Sequence, residues 1–260
     1  MTPPVVTNVG NIPYANYPTI TGPRFTPTIN KTGRQIISAP GTYSGWNVTA
    51  GNIDIQSNGG LVILEDFIVD ARGTTAAGPV WVRNGFTSPV EIRYGRVVGA
   101  GNVGSTAVVT GVNGYVHNVD LSNSEDGFRP FTGSKIQANW VHSLYVGVGS
   151  HNDTLQLIGT EHDVDISQNR FDAPYRAENA AVFIKADVGN IDRINVHNNY
   201  MYGGGYSVYV YDALYKTTNV NLDYNVFVRG SCNYSQLVTL GTGLVSKVGN
   251  TWDDGSLIWG

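Results

Sequence analysis

Arg129, Lys185, His151, Tyr209 and Tyr211 are residue types that could work together on an acidic sugar. Eliminating a glycosidic bond next to a uronate needs a cation to neutralise the carboxylate. It also needs a base to take the neighbouring proton and an acid to help the leaving oxygen. Arg129 and Lys185 supply the cation, Lys185 or His151 the base, and Tyr209 or Tyr211 the acid. Asp126 and Asp153 suit a different reaction, hydrolysis between two carboxyls, which stand about 5.5 Å apart for retention or about 6.5–9.5 Å for inversion. Gln156, Phe183, Tyr175, Arg176, Asp187 and Asp212 add the polar and aromatic groups that hold sugar rings. Each has a plain structural reading as well. Arg129 and Lys185 read as solvated surface charges, and Asp126 and Asp153 as turn caps in Ser124-Glu-Asp-Gly127 and His151-Asn-Asp-Thr154.

These residues lie on four segments that align. Asp126–Phe131, Asp153–Ile158, Ala180–Lys185 and Tyr206–Tyr211 begin at intervals of 27, 27 and 26. Strand side chains alternate between faces. Phe128, Leu155, Val182 and Val208 then point inward, with Leu157, Ile184 and Val210. The outward columns are Gly127/Thr154/Ala181/Ser207, Arg129/Gln156/Phe183/Tyr209 and Phe131/Ile158/Lys185/Tyr211. The same alternation sends Asp126 and Asp153 inward or to a corner, roughly 5 Å apart on adjacent rungs.

A second periodicity shows what stacks the segments. Asn139, Asn169, Asn199, Asn225 and Asn250 recur at intervals of 30, 30, 26 and 25. Each follows an apolar residue or alkyl stem by three places and precedes a large hydrophobe by two, as in Ile166-Ser-Gln-Asn169-Arg-Phe171. The phase extends upstream through Val119, Gly95 and Asp66. Repeats this short cannot bury a core alone, so they must stack. Strand-rich repeats of this kind predict an all-β, single-stranded parallel β-helix of about eight to ten coils over residues 35–260. Asparagine suits the bend between strands, accepting left-handed backbone angles, and stacked amides can bond as a ladder.

The opening Gln35-Ile-Ile-Ser-Ala-Pro-Gly-Thr-Tyr43, followed by Trp46-Asn-Val48 and Ile53-Asp-Ile55, resembles the first rungs of right-handed β-helix proteins of the pectate-lyase-like superfamily. Ser150-His-Asn-Asp-Thr-Leu-Gln156 resembles a His-Ser-Asp-Gly-Ile-Gln segment of that superfamily, with Asn152 for Ser and Thr154 for Gly. The resemblance implies a right-handed coil and an activity on polysaccharide, as in polysaccharide lyases and phage tailspike depolymerases. It implies an extracellular location or a virion tail. A non-catalytic glycan-binding fibre module stays open, because one fold hosts many functions.

Residues 1–34 hold six of the 11 prolines and read as an extended arm. Charged residues are only 14% and the net charge is −4, which gives no general reason to expect nucleic-acid binding, and no nucleic-acid partner is expected. No run of 18 apolar residues is present to span a membrane. Cys232 is alone, so neither an intrachain disulfide nor a cysteine zinc site forms. No cofactor is expected. Calcium is the one metal with any signal, from the hard oxygens of Glu125, Asp126, Asp153, Asp187 and Asp212, without a calcium-binding repeat. Eight of the 15 tyrosines fall between Tyr200 and Tyr234, which suits sugar stacking or the interface of a homotrimer.

Overall fold

The chain forms a right-handed parallel β-helix of about eight turns. The computed structural model describes residues 8–9, 12–176 and 179–259. One wall is a nine-stranded parallel sheet running from Gln35–Ile37 at the N-terminal end to Ser235–Leu240. It includes Val80–Val82, Thr106–Val109, Asp126–Arg129, Asp153–Leu157, Ala180–Ala186 and Tyr206–Asp212. The rest of each coil belongs to a second continuous sheet. In two successive coils that part is one bent strand, Val62–Asp70 and Val90–Val98. Later it splits into two, as in His162–Ser167 and Arg170–Asp172. One apolar core fills the coil, with Phe67, Phe128, Phe171 and Phe227 wholly buried.

The asparagine column stands at the joint of those two strands and is buried throughout. Asn139 donates its side-chain amide to Oδ1 of Asn169 at 3.0 Å, Asn169 to Asn199 at 2.9 Å, Asn199 to Asn225 at 3.1 Å and Asn225 to Asn250 at 3.1 Å. Each acceptor oxygen also takes the backbone N–H of the asparagine below it. The second amide hydrogen reaches back a coil, as from Asn199 to the Ile166 carbonyl at 2.8 Å. The ladder thus satisfies, inside the protein, the backbone groups that a bend removes from the sheet.

Two sequence expectations at this corner need correction. The left-handed backbone lies one residue before the ladder, at Tyr94, Asn118, Ala138, Gln168, Asn198, Tyr224 and Gly249. Asp66 belongs to that left-handed column, because Leu64 pairs with Ile92 and Gly95 pairs with Phe67. Phe67 is therefore the corner residue. Its ring fills the space above Gly95, where a Cβ would come within 2.2 Å of it.

The arm also differs from expectation. Ile29–Thr32 already pairs with Trp46–Thr49, so the coil begins before residue 35. Upstream, the arm lies along the asparagine corner and crosses the rungs in reverse order. Tyr14 packs on Tyr200 with ring centroids 4.3 Å apart, and the Arg170 guanidinium sits 4.0 Å from the Tyr14 ring. Tyr17 is wholly buried and donates its hydroxyl to the Gln168 carbonyl. Asn118 donates to the Ile20 carbonyl at 3.0 Å, and Arg24 closes on Asp66 and Glu65. The far end of the coil is covered by the tail, where Ile258 and Trp259 pack on the core and Trp259 meets Phe227 edge-on at 5.7 Å. Such a cover shields the last rung's edge from pairing with another chain.

Asn199→Leu should lower stability by about 3 kcal/mol, because it strands a buried Asn169 amide and the Ile166 carbonyl. Asn198→Gly, at the adjacent left-handed position, should cost less than about 1 kcal/mol. Urea melts of the two variants check the ladder, and equal losses would refute it.

Candidate functional site

The outward face of the nine-stranded sheet gathers most of the expected residues. Register pairs Val109 with both Trp81 and Arg129, Gln156 with Phe183, and Phe183 with Tyr209. Phe128 pairs with Leu155, which sets Arg129 beside Gln156. One column thus reads Trp81, Val109, Arg129, Gln156, Phe183, Tyr209. The next holds Lys185 beside Tyr211. Core-facing Phe128, Leu155, Val182, Val208, Leu157, Ile184 and Val210 are all buried, as their alternation requires.

The first expected outward column is overturned. Thr154, Ala181 and Ser207 are buried, and a Cβ on Gly127 would come within 2.8 Å of Val141. Pairing skips these residues, jumping from Asp153↔Ala180 to Leu155↔Val182 and from Ala180↔Tyr206 to Val182↔Val208. The strand bends on entry, so two successive side chains face the interior. Only small ones fit the first of those places.

The bend places the preceding residue at the strand-entry corner, one of the two places expected for the aspartates. Gln156 Nε2 lies 3.3 Å from Asp153 Oδ2, and Tyr206 meets the Tyr209 ring at 5.1 Å. Asp126, Asp153, Ala180 and Tyr206 therefore form one column at this corner, with Asp126 and Tyr206 partly exposed and Asp153 and Ala180 buried. Asp126 Oδ1 accepts the Asp153 N–H at 3.0 Å, and Asp153 Oδ1 accepts the Ala180 N–H at 2.9 Å. Each carboxyl thus bonds the backbone of the next coil, 27 residues on, in place of the expected local turn. Asp153 is 2% exposed, while Asp126 is half-buried.

Burial governs the titration of this pair. Desolvation, with the nearby charge of Glu125, pushes the Asp126 carboxyl up to about 7 against the bond from Asp153 and the field of Arg129. Desolvation first, then the Asp126 charge, raises Asp153 well above the usual carboxylate range. The buried Glu125 lies beside them, its Oε1 taking the His151 N–H at 2.8 Å.

The other expected residues divide between rim and scaffold. His151 is exposed at the loop that leads into Asp153–Leu157. Arg176 reaches Ser150 Oγ at 3.1 Å and ties that loop to the next, where Tyr175 is exposed. Asn152 is buried and its N–H bonds to Asn179 Oδ1 at 3.0 Å, a smaller amide step at a second corner. Asp187 pairs with Lys185 at 3.1 Å on the opposite rim. Asp212 is occupied by Thr217 and Lys216 and holds a turn, so it is not available to a ligand. His142 and His197 bond to Asp120 and Asp165 on the other sheet. Among the described residues, no group of three or more His, Cys, Asp or Glu is placed to hold a metal ion.

The tyrosine cluster of the sequence is divided by the fold. Tyr206, Tyr209, Tyr211 and Tyr234 join Phe183 on the outward face, with centroid spacings of 5.1–6.0 Å. Tyr200 is buried under the arm instead.

The N-terminal part of the face was not foreseen. A cavity of about 610 Å³ is lined by Arg34, Asn52, Gln56, Trp81, Arg83 and Phe86 with the small residues 76–78. A second cavity, of about 300 Å³, shares Ala77 and Trp81 with it and holds Arg129 and Phe131. The signal was the alternation in Ile53-Asp-Ile55 and Val80-Trp-Val82. Uneven loops hide the register there, since Val109 lies 28 residues after Trp81 and 20 before Arg129.

Comparison with protein-family models, with curated proteins and with solved structures finds no match.

Asp126 holds its proton more tightly folded than unfolded, between the ordinary 3.8 and about 7. Its stabilising contribution is present at low pH and is lost as pH rises through about 7. The Asp126→Asn variant should therefore lose about 2–4 kcal/mol less than the wild type between pH 5 and pH 8. Denaturant melts at the two values measure this, and parallel losses would contradict it.

Proposed function

We propose that the outward face of the nine-stranded sheet binds a polysaccharide laid across the rungs. The observation that carries this reading is the register that lines up Trp81, Arg129, Gln156, Phe183 and Tyr209, with Tyr206, Lys185 and Tyr211 beside them. Rings next to hydrogen-bonding and charged groups are what sugar recognition needs. The spacing of about 4.8 Å between rungs repeats the contact along the coil. The resemblance of Ser150–Gln156 to pectate-lyase-like proteins supports the same substrate class, an extracellular or surface polysaccharide.

A second reading, cleavage of that chain by hydrolysis, is favoured by Asp126. Its half-buried carboxyl faces the groove and keeps its proton to about neutral pH, as a general acid must. Asp126 would give that proton to the glycosidic oxygen and regain one from the water that adds to the anomeric carbon, while Asp153, buried and itself held protonated, stays on the Ala180 N–H. Elimination is less well served. Arg129 and Lys185 share the face but stand two rungs and one column apart, about 12 Å between Cα atoms on ordinary strand spacings. Lys185 is also paired with Asp187.

A panel of acidic and neutral polysaccharides should reveal a ligand by calorimetry, with Tyr209→Ala weakening it about 10-fold, or about 1.4 kcal/mol. Reducing-end release with no unsaturated product, falling at least about 100-fold in Asp126→Asn, would establish hydrolysis. An unsaturated product abolished by Lys185→Ala would establish elimination in its place. Wild-type-like binding by Tyr209→Ala and Phe183→Ala together would remove this face as the site.

A further inference from the structure

We infer that the cavity at the N-terminal end of this face is an oxyanion site that selects a sugar bearing a carboxylate or sulfate. The inference rests on the glycan-binding reading for its ligand class, but its geometry is separate from Asp126 and from the tyrosines.

Asp54 anchors the cavity and is wholly buried. Arg34 Nε approaches Asp54 Oδ2 at 2.5 Å, Arg83 NH2 approaches Oδ1 at 2.8 Å, and Asn52 donates to Oδ1 at 3.0 Å. Two guanidiniums share one carboxylate, so the group carries a net charge of about +1 at neutral pH. Neither arginine is closed off. Their side chains are 53% and 34% exposed, and both line the cavity.

The guanidinium of Arg83 stacks on Trp81 at 4.2 Å, which fixes its plane. Its Nε is buried without a hydrogen-bond partner. Guanidinium forks match carboxylate and sulfate oxygens, and a weakly hydrated cation beside an apolar wall favours them further. Trp81 and Phe86 provide that wall for a sugar ring. Gly78 packs directly on the Trp81 ring, where a Cβ would come within 2.6 Å of it, and so holds the indole in place. Trp81 also lines the cavity that holds Arg129, so a chain anchored here leads toward the Asp126 rung.

The test uses methyl glucuronide, glucose 6-sulfate and methyl glucoside as matched probes on the full chain, followed by amide and indole NMR shifts. Both anionic probes should shift the Trp81 indole and its neighbours, and methyl glucoside should bind at least about 10-fold more weakly. Preference for one anion tells carboxylate from sulfate. Arg34→Gln should weaken the anionic probes about 10-fold. Asp54→Asn should tighten them several-fold, because it removes the internal competitor for both guanidiniums. An overall loss of fold could not produce that gain. Equal binding of glucoside and glucuronide, or no shift from either anion at 100-fold excess, would overturn the assignment. Binding of the monosaccharides here without any polysaccharide on the face would leave this site standing and refute the wider glycan reading. Polysaccharide binding that is indifferent to Arg34 and Asp54 would do the reverse.

Discussion

Everything in this protein depends on in-register parallel stacking at one buried corner. A coil that bends there gives up sheet hydrogen bonds, and the freed N–H and C=O groups lie where water cannot reach. Asparagine solves this because one side chain carries an acceptor and two donors. From Asn169 to Asn250 its oxygen takes two hydrogens from the coil below, and from Asn139 to Asn225 its amide spans to coils on both sides. A residue slip in any coil would leave several of these groups unsatisfied, so the ladder also enforces the register on which the outward face is built. Where Phe67, Gly95 and Val119 replace it, packing replaces the amides, and the arm lies along the same edge with Arg24 on Asp66.

The bend at the entry to each strand of the nine-stranded sheet links this architecture to chemistry. Two neighbouring side chains turn inward, and the core accepts only Gly127, Thr154, Ala181 and Ser207 in the first place. The preceding positions stand at the entry corner, where the chain places the partly exposed Asp126 and Tyr206 and the buried Asp153. Both aspartates are used as caps, each accepting the next coil's N–H. Capping and acid chemistry are compatible here, because each cap occupies only Oδ1 while burial disfavours the charged form.

The two ends of the face treat charge differently. At the N-terminal end the buried Asp54 is compensated by two arginines, which leaves an excess of positive charge at the surface. In the middle, the Asp126 and Asp153 carboxyls lie close together and stay protonated to higher pH. At the C-terminal end charge gives way to rings. A face graded from cationic through acidic to aromatic presents unlike surroundings to successive units of a chain crossing it, which is a basis for orienting one.

The sequence alone determined the repeat, the parallel coil, the asparagine ladder and the core columns, because these follow from spacing and from alternation at a period of two. It also placed Arg129, Gln156, Lys185, Phe183, Tyr209 and Tyr211 on one face. Tertiary structure decided what depends on a single-residue break in that period. The strand bend hid Thr154 and Ala181 and left Asp126 and Asp153 at the entry corner, and no spacing announces such a bend. The left-handed residue fell one place before the ladder, and Asp66 went to Arg24 rather than to the corner. The grouping of Arg34, Asp54, Trp81 and Arg83 came only with coordinates, because unequal loops erase the period through which those residues meet.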